Sequence, residues 1–474
     1  MSILMHPARP SDPHTRHVVL GEALSAGDPI YLYDDAGTPT VKKVASPFGA
    51  RLEMSDLAMY IRNCPVTTNV VAVLYRRRSS SDGWVVAVDV SNPENPIEGT
   101  PVQVSTGSTY YLHCFQLADG KIVLLFRDGT GYIQARVATV SGLVITLGTA
   151  AVCSAGSAYY PYGCRISDTQ FCVSFRDGGV SYHGQARLGS VSGSTITWGT
   201  AATFYAASAG YSCCIWATSP DYIIIAYRGG GSDLYVIRSD ISGNNFVGFT
   251  GSTLLHAGSY YYVFDMREIA SNKFVICARN GSYANLTMFT QLGFTLTHQE
   301  SVQLTSSLSY YAAMANPQNS QLFAIYTYET GPYQGRYKTA MLPGVNFDAL
   351  SEPTTFHNQR LSDLDVCTNT YGASWQVVLS WVEYSTYKTF LQVVDSLVDS
   401  FDLSLGVLEE SGALGETRRI TLLGGLSRAL SGYPAGQKLY IQPDASIGST
   451  ASTFPFAVAL DGDQALLGKT LLAD

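Results

Sequence analysis

The chain reads as an all-β protein: a seven-bladed β-propeller inserted into a small β-sandwich or barrel-like domain formed by both termini. Three observations predict this. The sequence repeats every fifty residues or so between about residue 55 and residue 400, each unit breaks into four short strands, and the two ends resemble each other but not the repeat. A period of this length signals a propeller, solenoid or array.

The repeats open at Thr109–Gly129, Ala158–Gly178, Gly210–Gly230, Tyr260–Gly281 and Ser309–Gly331, with weaker copies at Ser55–Arg78 and Ser362–Glu383, making seven. Within the second unit, Thr109–Leu117, Lys121–Arg127, Tyr132–Val140 and Leu143–Ala150 are runs of β-branched and aromatic residues. They are divided by Asp-Gly and Ser-Gly turns, the signature of strands and hairpins. No window carries a 3.6-residue apolar period. A β-solenoid is the competing architecture, but its coils are much shorter than these units. The propeller is expected over 48–401, a small β-domain over 17–47 plus 402–474, and a flexible segment over 1–16. Val41–Pro47 is the candidate outer strand that closes the ring.

Composition narrows the function. Only 14% of residues are charged and the net charge is −8, which disfavours a general role on nucleic acid. The one basic run, Arg76-Arg77-Arg78, reads as a solvated loop. Nine cysteines show no disulfide-like spacing. Cys114, Cys164, Cys214 and Cys367 recur on predicted innermost strands as small buried side chains, and no local Cys/His pairing suits a metal. Free thiols point to folding in a reducing compartment. Neither a secretory segment nor a run long enough for a membrane span is found, so no membrane insertion is expected. No cofactor motif is present.

Two residue types recur on one rim of the ring. First strands begin with Tyr110, Tyr111, Tyr159, Tyr160, Tyr211, Tyr260, Tyr261, Tyr310 and Tyr311, while second strands end in Arg76, Arg127, Arg176, Arg228 and Arg279. Tyrosine faces and fixed guanidinium donors suit sugar hydroxyls. The structural alternative has the tyrosines packing between blades and the arginines bonding nearby loop carbonyls. Asp265, Asp363 and Asp365, with Glu268 and Arg165 near the channel, are the acids a glycosidase would draw on. No accompanying catalytic box is present, so no enzyme is expected and these acids read as channel caps. His113 reads as a satisfied core residue. The Asn280 and Asn285 glycosylation patterns read as chance.

The ends supply a resemblance. Gly21-Glu22-Ala23-Leu24 with Ala26-Gly27-Asp28-Pro29 stands near the start. Gly415-x-Thr417-x-Arg419-x-x-Leu422-Leu423-Gly424-Gly425, Pro434-Ala435-Gly436-Gln437 and Tyr440-x-Gln442-Pro443-Asp444 stand near the end. Over about a fifth of the chain these resemble the terminal β-domain of tailed-bacteriophage head-fibre, decoration and tail-fibre proteins. The resemblance implies a virion component, assembled in the host cytoplasm, that docks to capsid or tail proteins. It implies a homo-oligomer, such fibres often being trimers, and a propeller that presents its rim to host cell-surface polysaccharide. A glycan-degrading propeller enzyme and a purely structural decoration protein are the alternatives.

Overall fold

A computed structural model describes residues 48–394, apart from short stretches at 218–221, 259, 293–294, 307, 317–320, 329–332, 342–346, 348, 351–353 and 372–373. In the terminal segments it describes the backbone strands alone. The chain divides into two compact units, 48–395 and 1–47 with 396–474. In the second, strands from both ends share one sheet: Thr15–Val19 pairs with Thr417–Thr421, and Pro29–Asp35 pairs with Gly406–Leu408. The remainder of the expected flexible segment, 1–14, lies outside the described residues.

The first unit is a seven-bladed propeller of antiparallel sheets. Its second strands, such as Val70–Arg77, Lys121–Arg127 and Tyr222–Arg228, are almost continuously apolar. The reason is the two-residue period of a strand. Ile122, Leu124 and Phe126 face the preceding blade, while Val123 and Leu125 face the following one. Each middle strand thus supplies two cores at once. Seven apolar clusters result, each shared by neighbouring blades, and the seventh joins Val71, Val73 and Tyr75 of blade 1 to Cys367, Val378 and Leu391 of blade 7. Burying each such side chain contributes about 1.5–3 kcal/mol.

The outer strands hold the second device. In blade 2, Val144–Leu147 and Ala151–Ser154 both pair with the third strand, separated by a break at Gly148. A Cβ on Gly148 would lie 2.4 Å from the Ser194 carbonyl oxygen of the next blade's hairpin. Gly99 and Gly199 make the same approach, to the carbonyls of Leu143 and Asn244. Glycine recurs there because the next blade leaves no room for a side chain.

Ring closure follows the same rule with different residues than expected. Phe48–Glu53, not Val41–Pro47, is the outer strand of blade 7, pairing with Thr389–Val394. Gly49 packs on the Pro93 carbonyl of blade 1, as Gly99 does one blade later. Val41–Lys43 belongs instead to the terminal sheet, paired with Ile30–Leu32. Arg51 lies over the Trp381 and Phe390 rings, and Lys388 pairs with Glu53 at 2.8 Å.

Turn acids set the loops. The Asp128 carboxylate accepts from the Thr130 and Tyr132 N–H groups, both at 3.0 Å. Asp82 and Asp233 accept from the N–H groups of Gly107 and Gly258, fixing the segments that lead into the next blades. The basic run is not a solvated loop: Arg76 is buried against Tyr110, and Arg77 lies 3.5 Å over Trp84 beside Asp56. Only Arg78 is exposed. Strand Val70–Arg77 runs through the first two residues, which is why they are packed.

Candidate binding site in the central cavity

The innermost strands enclose a cavity of about 780 Å³. Its wall begins where each first strand begins. There the strand carries a bulge, with the register shifting between Tyr110 and His113 in blade 2 and between Tyr159 and Tyr162 in blade 3. Tyr111 and Tyr160 sit inside these bulges at φ +52 and +55. A left-handed tyrosine costs roughly 1–2 kcal/mol, and strain of this kind gathers at functional positions.

The bulge splits the tyrosine pair into two roles. Tyr111, Tyr160, Tyr211 and Tyr262 line the cavity as a continuous belt. Tyr111 meets Tyr160 edge-on at 4.6 Å, Tyr160 stacks on Tyr211 at 3.9 Å, and Tyr211 meets Tyr262 edge-on at 4.4 Å. Tyr60 and Tyr311 also line the cavity. In three of the pairs the preceding tyrosine is stacked under the arginine of the blade before it. Arg76 lies over Tyr110 at 4.5 Å, Arg127 over Tyr159 at 4.8 Å and Arg279 over Tyr310 at 4.9 Å. Tyr110 and Tyr310 still reach the cavity edge.

Arg76, Arg127 and Arg279 therefore pack between blades, while Arg176 and Arg228 meet partners within their own blade. Arg228 donates to the Ser232 hydroxyl, Arg279 to the Gly281 carbonyl, and Arg176 lies over Tyr182. None of Arg127, Arg176, Arg228 and Arg279 lines the cavity. Tyr260 is also displaced from the expected surface: it is fully buried, like Ala158 and Ser309 at the matching positions. Tyr262 takes the lining position instead. The Tyr261 side chain lies outside the described residues.

Two or three residues beyond the tyrosines, about 7–10 Å along a strand, the wall turns polar. Innermost strands have an unpaired edge, so their N–H groups need acceptors. The acids supply them across blade boundaries. Asp363 accepts from the Ile61 N–H at 3.0 Å, Asp365 from the Asn63 N–H at 2.8 Å, and Asp265 from the Met314 N–H at 3.1 Å. Arg62 pairs with Asp363, Arg267 with Asp265, both at 3.0 Å, and the Tyr162 hydroxyl donates to Asp265. Burial pushes the Asp365 carboxyl up to about 7 and also raises that of Asp363, in both cases against the pull of Arg62. His113 bridges blades likewise: its Nε2 lies 3.0 Å from the Gly163 carbonyl and its ring stacks on Tyr162. Burial pushes His113 down to about 3, so it is neutral and donates to that carbonyl.

Cys64, Cys114, Cys164 and Cys367 line the same wall; Cys164 is half-buried and the other three are buried. Burial raises the Cys64 and Cys367 thiols well above their ordinary range. The Cys214 side chain lies outside the described residues. Among the described residues no group of three or more His, Cys, Asp or Glu is placed to hold a metal. Arg165 lines the cavity but pairs with Asp168, and Glu268 does not reach it. Arg62 and Arg267 were missing from the expected site. Arg62 stands two residues beyond the lining Tyr60 and Arg267 five beyond the lining Tyr262, a signal visible only once the inner strands are aligned.

No protein-family model matches the chain, and no curated protein matches it. Among solved structures it is similar to the BP39L lectin of Burkholderia pseudomallei, with 10% identity and a TM-score of 0.55 over 72% of this chain and 97% of that one. A mutant AofleA from Arthrobotrys oligospora aligns over 78% of this chain and 91% of its own, with 9% identity and a TM-score of 0.42. At such identities the first likeness is one of fold.

Proposed function

We propose that the propeller is a carbohydrate-binding module that takes a glycan into the tyrosine-lined mouth of its central cavity, without cleaving it. The observation that carries this reading is the Tyr111–Tyr160–Tyr211–Tyr262 belt above a ring of charged hydrogen-bonding groups. Sugar rings stack on aromatic faces, and their hydroxyls need fixed donors and acceptors. The propeller's fold match to a protein named a lectin supports the same reading. The terminal motifs support a virion setting: the terminal unit docks to a phage-like particle, the chain is a homo-oligomer, and the propeller engages host-surface polysaccharide. Many copies per particle then strengthen weak single sites.

The test is a glycan array followed by titration of the best ligand into wild type and Tyr160→Ala. Binding weakened tenfold or more by the substitution supports the reading. A ligand bound equally by both forms, or an array without a hit, overturns it. Decoration of purified particles by an antibody against this chain tests the virion setting, and an unlabelled particle rejects it.

One observation favours a second, enzymatic reading. A carboxyl held near 7, as in Asp365, suits a general acid. Glycoside hydrolysis also needs a second carboxylate, and the nearby Asp265 and Asp363 already accept from backbone N–H groups and an arginine each. Release of reducing ends from a bound polysaccharide, lost in Asp365→Asn, would establish the enzyme.

A further inference from the structure

The geometry points to an ammonium-recognition site inside the cavity, formed by Asp365 and Asn63 beneath the tyrosine belt, that takes the free amine of an amino sugar. This rests on the glycan reading above and specifies which sugar.

Charge comes first. Three carboxylates, Asp265, Asp363 and Asp365, line the cavity beside two guanidinium groups, Arg62 and Arg267. Asp265 and Asp363 are each matched by one arginine at 3.0 Å. Asp365 has no such partner, so one negative charge is left over. The other titratable groups facing it do not cancel that charge: His113 is neutral, the Tyr162 hydroxyl is spent on Asp265, and Arg165 is paired with Asp168. An unpaired charge in a cavity is costly unless a counter-charge arrives.

Hydrogen bonding gives an independent indication. Asp365 uses one oxygen on the Asn63 N–H, and among the described residues its other oxygen has no donor. Asn63 itself is 5% exposed and lines the cavity. Its amide donates to the Val378 carbonyl at 3.0 Å, while its Oδ1 is buried without a partner. Two acceptor oxygens on neighbouring groups therefore lack donors; the Asn63 oxygen is buried, where a missing donor is costly, and Asp365 is partly open to the cavity. An ammonium brings three donors and one positive charge. Tyrosine faces above add cation–π attraction. A uronic acid would instead set a carboxylate against Asp365, and an N-acetyl group would remove the charge.

The experiment titrates wild type at pH 7.5 with glucosamine oligomers, N-acetylglucosamine oligomers and oligogalacturonate of matched length. The expected result is amine-bearing oligomers binding about tenfold or more tighter than acetylated ones. Asp365→Asn keeps an acceptor for the Asn63 N–H and should abolish the preference. Because burial holds Asp365 near 7, the preference in wild type should also fade as the pH falls to 5.5, a readout that needs no variant. Equal or tighter binding of the acetylated or acidic oligomer overturns the assignment. So does a preference that survives in Asp365→Asn, or binding of none of the three. Tyr160-dependent binding of an acetylated oligomer at least as tight as that of the amine-bearing one would overturn this site while leaving the glycan reading intact.

Discussion

Gly199→Ala tests whether blade spacing is set by backbone contact. The added methyl carbon would stand 1.7 Å from the Asn244 carbonyl oxygen of the next blade and 2.9 Å from its carbon. Backbone lies on both sides, so no side chain can swing away. Gly199 also accepts from Arg187 at 2.7 Å and donates to the Leu188 carbonyl at 2.9 Å. Moving it strains those bonds. Overpacking costs about 1–3 kcal/mol, and loss of one such bond adds about 1 kcal/mol, giving roughly 2–4 kcal/mol in total. With an unfolding entropy near 2.1 cal/mol/K per residue over the about 350 residues of the propeller unit, the melting temperature should fall by about 3–5 °C. The control is Gly193→Ala in the same blade, where φ is +61 but nothing lies within 4 Å of the new carbon. It should cost about 1–2 kcal/mol through the left-handed backbone alone. Calorimetry of both variants decides. If Gly199→Ala melts no lower than Gly193→Ala, blades are not held apart by this contact.

Other outcomes follow from the cavity wall. Asp363→Leu removes the acceptor for the Ile61 and Leu364 N–H groups and the partner of Arg62; because Arg62 is one-third exposed, the loss should fall near 2–4 kcal/mol by denaturant titration. Adding Arg62→Met should recover part of it, and no recovery would mean the pair is not coupled. His113, neutral when folded with a value near 3 and about 6.5 when unfolded, takes up its proton more readily in the unfolded chain. Its contribution is therefore intact above 6.5 and is lost progressively as pH falls toward 3, about 1–2 kcal/mol at pH 4.5 after allowing for partial exposure. His113→Gln should flatten that part of the stability–pH curve, and an unchanged curve would count against a buried neutral imidazole. Tyr211→Ala, like Tyr160→Ala, should weaken glycan binding about tenfold, while Arg176→Ala should leave affinity within about threefold and lower the melting temperature.

The blades were legible because their middle strands serve two interfaces and so read as unbroken apolar runs, such as Tyr222–Tyr227 between turn residues. The closing strand was legible in principle. Gly49 precedes Gly99 by 50 residues, close to the 49 and 51 that separate Gly99, Gly148 and Gly199, yet a glycine without a clear strand around it carries little weight until its neighbour is known. The site was half legible. Paired tyrosines marked the right end of each inner strand, but which ring enters the cavity depends on the bulge that puts Tyr111 and Tyr160 at positive φ. That choice is made by backbone geometry, not by residue type. Tyr260 misled because a matching position one residue earlier is filled by Ala158 or Ser309 in other blades. The acids were expected as caps, and what they cap was hidden. Asp363 and Ile61 are 302 residues apart and meet only when the ring closes.

Closure by Phe48–Glu53 also dictates a timetable. The strand made first must wait for Thr389–Val394, some 340 residues later, before it has a partner. At about 5–20 residues per second that delay is roughly 20–70 s. During it the nascent arc exposes the apolar flank of blade 1 that Val378 and Leu391 will later cover. Synthesis of this chain therefore leaves a long interval in which a ribosome-bound intermediate offers a sticky, unfinished seam, and any helper that guards nascent chains would be expected to act there.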